Sequence, residues 1–120
     1  MKKFWLAIIF LALALPAFAT TTMVQSNDFT GDAAVCTTKG VFYGLWMVTD
    51  GTNSVTVTIY DNASAASGRT IFPTTVLPTA SDDRARSVSF DPPIKYNNGI
   101  YVDITTSGAA TYKIYYRDGN

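Results

Sequence analysis

The chain has 120 residues, nine basic and nine acidic, with no histidine and one cysteine. That length holds one small domain. The missing histidine excludes a Ser-His-Asp triad and the usual Cys-His pair, and a lone cysteine excludes an internal disulfide or a cysteine zinc cluster. All nine acids are aspartate, glutamine occurs once, at Gln25, and threonine is abundant. Strong helix formers are scarce and β-branched and turn residues dominate, which predicts an all-β protein.

The N-terminus reads as an address. Lys2 and Lys3 precede the apolar run "FWLAIIFLALAL", and Ala17-Phe18-Ala19 supplies a small-x-small end. This is the pattern of a signal peptide over residues 1–19, cleaved before Thr20. A retained anchor is the alternative, but a span needs about 20 apolar residues and Pro16 interrupts this run. Without Lys2 and Lys3 the remaining chain, 20–120, carries a formal charge of −2. That balance argues against nucleic acid, which wants a basic face. It leaves the membrane no role beyond the signal segment.

The domain itself reads as a series of strands. "AAVCTT" (33–38) is short, and Cys36 within it is expected to pack as a small buried hydrophobe. "GVFYGLWMVT" (40–49) is apolar on both faces. Simple alternation puts Val41, Tyr43, Leu45 and Met47 on one side and Phe42, Trp46 and Val48 on the other. Phe42 and Trp46 are therefore a candidate oligomer face, with Gly44 marking a bulge or close approach between them. "DGTN" (50–53) reads as a hairpin turn into 54–60, where Val55, Val57 and Ile59 point inward and Thr56, Thr58 and Tyr60 outward. "DNASAASG" (61–68) leaves the sheet.

"RTIFPTTVLP" (69–78) is an edge or kinked strand because Pro73 cannot donate to a ladder. "TASDDRA" (79–85) is a solvated loop. "RSVSF" (86–90) alternates and "DPP" stops it. "IKYNNG" (94–99) ends in an Asn-Gly turn. "IYVDITT" (100–106) points Ile100, Val102 and Ile104 inward and Tyr101 and Asp103 outward. "TYKIYYR" (111–117) points Tyr112, Ile114 and Tyr116 one way and Lys113, Tyr115 and Arg117 the other. Roughly seven or eight strands with turns about every 8–12 residues predict a single antiparallel β-sandwich over 20–120, jelly-roll or Ig-like.

Chemistry is thin. Asp82 and Asp83 are adjacent and point apart in an extended segment, and the other acids sit mostly in turns. Asp50 with Asn53, and Asp61 with Asn62 and Ser64, offer oxygen ligands of the kind calcium takes. They lie at opposite ends of one strand and read as Asx-type turns. Asn62-Ala63-Ser64 also spells a glycosylation sequon. The expectation is a non-enzymatic protein without metal or cofactor. Tyr101, Asp103, Lys113, Tyr115 and Arg117 are the candidate contact surface, tyrosines with interleaved charge on two strands paired through "TSGA".

Taken together, "GVFYGLWMVTDGTNSVTVTIYDNASAASG" and "NNGIYVDITTSGAATYKIYYR" resemble small β-sandwich proteins common in tailed-phage genomes. The resemblance rests on the glycine-led strand Gly40 to Val48, the corner Tyr60-Asp61-Asn62 with Ser67-Gly68, the segment Gly99 to Gly108, and Tyr115-Tyr116-Arg117. It implies a virion-associated decoration or accessory subunit, and no catalytic residue comes with it. The signal peptide points instead to the periplasm, the cell surface or an extracellular assembly, and a membrane-assembled virus reconciles the two. The expected partners are further copies of the chain or a larger protein assembly. The alternative is a secreted module that binds a glycan or a cell-surface protein through the tyrosine face.

Overall fold

Hydrogen bonding in the strands follows a nested rule. The computed structural model describes residues 23–77 and 84–119, so the expected signal peptide and the Asp82-Asp83 loop lie outside the described residues. The strands are β1 (Val24–Gln25), β2 (Ala33–Cys36), β3 (Gly40–Thr49), β4 (Val55–Tyr60), β5 (Thr70–Leu77), β6 (Ala85–Tyr96), β7 (Ile100–Thr106) and β8 (Ala110–Asp118). β1 pairs with β8, β2 with β7, β3 with β6 and β4 with β5, all antiparallel. The chain is thus a long two-stranded ribbon, doubled back at residues 61–69 and then rolled up. Rolling adds the pairs β3·β8 and β4·β7 and closes two four-stranded sheets, β1-β8-β3-β6 and β2-β7-β4-β5. The result is an eight-stranded sandwich. Of the two expected topologies it is the jelly roll.

This topology corrects two expected hairpins. β3 and β4 lie in different sheets, as do β7 and β8. "DGTN" and "TSGA" are therefore corners that hand the chain across the sandwich, while β4 and β5 form the hairpin across the segment 61–69. An Asp-Gly turn suits a tight reversal within one sheet or a step to the facing one. Which occurs is set by the apolar faces, and each of these strands has one to bury.

Alternation places the core correctly in β4, β7 and β8. Val55, Val57, Ile59, Ile100, Val102, Tyr112 and Ile114 are all fully buried. Ile104 and Tyr116 are half-buried and pack against that cluster. β3 departs from simple alternation. On the β8 side Phe42 pairs with Tyr116 and Gly44 with Tyr115, so Tyr43 is an extra residue. The bulge resets the period. Phe42, Leu45 and Met47 then all face the core at 0–1% exposure, while Val41, Trp46 and Val48 stay half-buried on the outside. Phe42 and Trp46, expected to share a face, are on opposite faces. Phe42 packs against Phe90, with ring centroids 5.8 Å apart, and Phe90 packs edge-on against Phe72 of the facing sheet at 6.1 Å. Burying a phenylalanine this way stabilises by roughly 3 kcal/mol.

The partner strand answers the bulge. Phe42 pairs with Ile94 and Gly44 with Ser89, so residues 90–93 of β6 loop out opposite Tyr43. The expected stop at "DPP" is instead a bend within a 12-residue edge strand, with a cis Asp91–Pro92 bond. Pro73 likewise sits in an edge strand, β5. A Cβ on Gly44 would collide with the Val88 carbonyl oxygen, so glycine is needed for the two backbones to approach. Gly44→Ala is expected to lower the unfolding free energy by about 2 kcal/mol, as overpacking does, and urea denaturation followed by tryptophan fluorescence will read it.

Candidate functional site

The carboxylates are engaged first by the fold. Asp50 Oδ1 accepts the backbone N–H groups of Thr52 and Asn53, both at 2.8 Å. Its Oδ2 accepts the Asn53 side-chain amide at 2.8 Å and the Ala109 N–H at 3.2 Å. The Asp50 N–H in turn donates to the Ala109 carbonyl, and Ser107 Oγ donates to Asn53 Oδ1. One side chain thus ties the β3–β4 corner to the β7–β8 corner. Gly108 is pressed against the same carboxylate and a Cβ there has no room. The backbone N–H of Asn53 above all, then its side chain and Thr52, hold the Asp50 carboxyl well below its ordinary range.

Asp61 does the same at the other end. Its Oδ1 accepts the N–H groups of Asn97 at 2.9 Å and Asn98 at 2.7 Å, and its Oδ2 accepts Arg69 Nε at 3.2 Å and Nη2 at 2.8 Å. Arg69 also reaches the Lys95 carbonyl of β6 at 2.6 Å. The Asp61 side chain is 2% exposed. Burial pushes its carboxyl up, but the Asn98 N–H, the Arg69 guanidinium and the Asn97 N–H outweigh it and leave it lowered. Asn62 caps its own loop, accepting the N–H groups of Ser64 and Ala65. Asp50 and Asn62 thus make the expected Asx turns, whereas Asp61 departs from that reading and spends its side chain on the β6–β7 turn and Arg69. Among the described residues no three metal-ligating side chains converge.

Cys36 is buried, yet its setting is not the apolar one expected. Its thiol donates to Asp118 Oδ1 at 3.0 Å, and the Tyr96 hydroxyl lies 3.6 Å from its sulfur and 3.4 Å from the Arg117 carbonyl. Burial, then the hydrogen bond with Cys36, pushes the Tyr96 hydroxyl far above its ordinary value. This polar knot fastens the end of β8 to β2 and β6. A shallow groove of about 270 Å³ runs beside it, between Lys39, Lys95, Tyr96 and Gly119.

The exposed chemistry lies on the two outer sheet faces. On the β1-β8-β3-β6 sheet, register puts Trp46 between Lys113 and Ser87, and Val41 between Arg117 and Lys95. Tyr115 stands opposite Gly44, next to the tryptophan row. Lys113 holds Asp28 at 3.2 Å. On the other sheet Tyr60 stands opposite Tyr101, and Thr58 opposite Asp103. Thr58 is hydrogen-bonded to Thr74 at 2.9 Å, and Val76 is 58% exposed. The expected contact surface is therefore divided. Tyr101 and Asp103 are on one outer face, and Lys113, Tyr115 and Arg117 on the opposite one, because β7 and β8 do not pair. Trp46 joins the second group. Sequence reasoning missed Tyr60 as a neighbour of Tyr101; its outward phase was legible, its partner strand was not.

No family model, no curated protein and no solved structure matches this chain.

The lowered Asp61 carboxyl has a thermodynamic consequence. Its contribution is complete above the unfolded value of 3.8 and is lost as pH falls through the lower folded value, since the unfolded chain then takes up the proton first. Asp61→Asn is expected to cost about 2 kcal/mol at neutral pH. It should also flatten the fall in melting temperature below about pH 4, as measured by calorimetry across an acid series.

Proposed function

We propose that this chain is a non-enzymatic structural or surface-display subunit, exported by its N-terminal segment, that assembles with itself or decorates a larger assembly such as a virion. One observation carries the reading. The carboxylates of Asp50 and Asp61 are consumed in corner-to-corner hydrogen bonds, while large aromatics, Trp46, Tyr115, Tyr60 and Tyr101, stand half-buried on the two outer faces. A fold that spends its polar groups on its own rigidity and keeps aromatics on broad flat faces suits contact better than turnover. The tailed-phage resemblance of the sequence agrees with a decoration role.

A second reading has its own support. The Tyr60–Tyr101 pair, with Asp103 two residues along β7, combines ring faces with a hydrogen-bonding group, the combination a sugar needs. Light scattering behind a sizing column separates the two. The structural reading expects the purified protein, beginning at Thr20 by mass spectrometry, to elute as a multimer that persists on dilution. A monomer at every concentration that binds glycans, with binding lost in Tyr101→Ala, would replace it with the second reading.

A further inference from the structure

The β6–β7 turn reads Tyr96-Asn97-Asn98-Gly99, and of the asparagines in the chain Asn98 alone precedes a glycine. The fold demands that glycine. Gly99 has a φ of 145°, and a Cβ there would strike the Cys36 carbonyl oxygen and press on Ala63. Asn98 itself is exposed. Its backbone N–H is held by Asp61 Oδ1 at 2.7 Å, but its side-chain amide reaches only the Asp61 carbonyl oxygen, at 3.4 Å. The main chain is pinned and the side chain is loosely tied. Other turn asparagines are held more firmly. Asn53 donates to Asp50 at 2.8 Å and accepts from Ser107. Asn62 accepts the N–H groups of Ser64 and Ala65 and donates to Ser67. Each is also followed by a residue with a side chain, Ser54 and Ala63, which hinders the next backbone nitrogen from approaching the asparagine.

We propose that Asn98 is a site of covalent self-modification, at which the Gly99 nitrogen attacks the Asn98 side-chain carbonyl carbon and converts the residue, through a cyclic imide, to aspartate and isoaspartate. The new bond is Gly99 N to Asn98 Cγ, and the bond that breaks is Cγ–Nδ2. The Gly99 N–H proton passes to solvent, and the amide nitrogen takes up a proton and leaves as ammonia. Water, the only other reactant, then opens the ring. Opening at Cγ leaves aspartate; opening at the main-chain carbonyl leaves isoaspartate, with the chain rerouted through the side chain. The pinned Asn98 N–H lies on the far side of the Cα and does not block ring closure. The bond that must be released is the 3.4 Å one, a penalty of about tenfold in rate at most. Both products work against the corner. Aspartate at 98 sets a second carboxylate beside that of Asp61, and like charges so placed repel. Isoaspartate adds a backbone atom directly before Gly99, where the Cys36 carbonyl already stands too close for a Cβ. The reaction therefore loosens the joint between Asp61 and the entry to β7, whether or not the chain assembles.

The experiment follows the purified wild type in warm, mildly alkaline buffer, beside the same chain unfolded in guanidinium, until the unfolded chain has converted at Asn98. Peptide mapping by mass spectrometry locates the exchange of an amide for a carboxyl, and chromatography separates aspartate from isoaspartate. Folded protein is expected to convert Asn98 at a rate within about tenfold of the unfolded chain, ahead of Asn53, Asn62 and Asn97. Asn98→Gln, whose longer side chain closes a larger and slower ring, should stay unmodified in that peptide. Asn98→Asp, which installs one product directly, is expected to melt about 4–8 °C below wild type at neutral pH, with Asn98→Gln much closer to wild type. Folded protein that keeps Asn98 intact while the unfolded chain converts overturns the proposed site, as does conversion at another asparagine first. An Asn98→Asp variant that melts with the wild type overturns the loosened corner, and the incubation of the wild type decides the site even if that variant does not fold.

Discussion

Two corner carboxylates hold the jelly roll in register. A ribbon rolled into two sheets must cross the sandwich at most of its turns, and each crossing strands backbone N–H groups outside the ladders. Buried or half-buried N–H groups without partners cost more than a hydrogen bond contributes. Asp50 and Asp61 each gather four donors, drawn from their own turn and from a turn distant in sequence. The long-range partner matters most. Ala109 at one end and Asn97-Asn98 at the other are where the returning half of the ribbon must lie for both sheets to close. Close packing around these points explains the glycines at 108 and 99, where a side chain would strike Asp50 or the Cys36 carbonyl.

The fold class was legible in composition and in period-two patterning, because Val55-Val57-Ile59 and Ile100-Val102 record which side faces the core. Strand partners were not legible. An Asp-Gly or Ser-Gly turn looks the same whether the next strand stays in the sheet or crosses to the other one. Tight turns at 50–53 and 107–109 therefore look like hairpins and are corners, while the β4–β5 hairpin spans a segment, 61–69, too long to look like one. The same ignorance joined Tyr101 to Tyr115 and kept Tyr60 apart from Tyr101. Gly44 pointed to a bulge, and a bulge shifts the phase of all that follows, which carries Trp46 away from Phe42. Cys36 was correctly placed inside, but its bond to Asp118 depends on a residue 82 positions away that no local pattern predicts.

Sheet faces and corners thus have separate duties. At the ends, polar groups are matched to one another and locked. On the faces, the aromatics Trp46, Tyr115, Tyr60 and Tyr101 stand half-buried among short polar and charged side chains.

The prolines at the rim bear on how such a protein avoids a worse fate. β5 and β6 are the long outer strands of the two sheets, and both lie on one side of the sandwich. Pro73 interrupts the first, and Pro92 and Pro93 bend the second. On the opposite side β1 and β2 are two and four residues long. An exposed strand edge is a template for indefinite cross-β growth. Here each rim is either too short or broken by a residue without an N–H. Neither side of the sandwich therefore offers another chain a long unbroken strand to pair with.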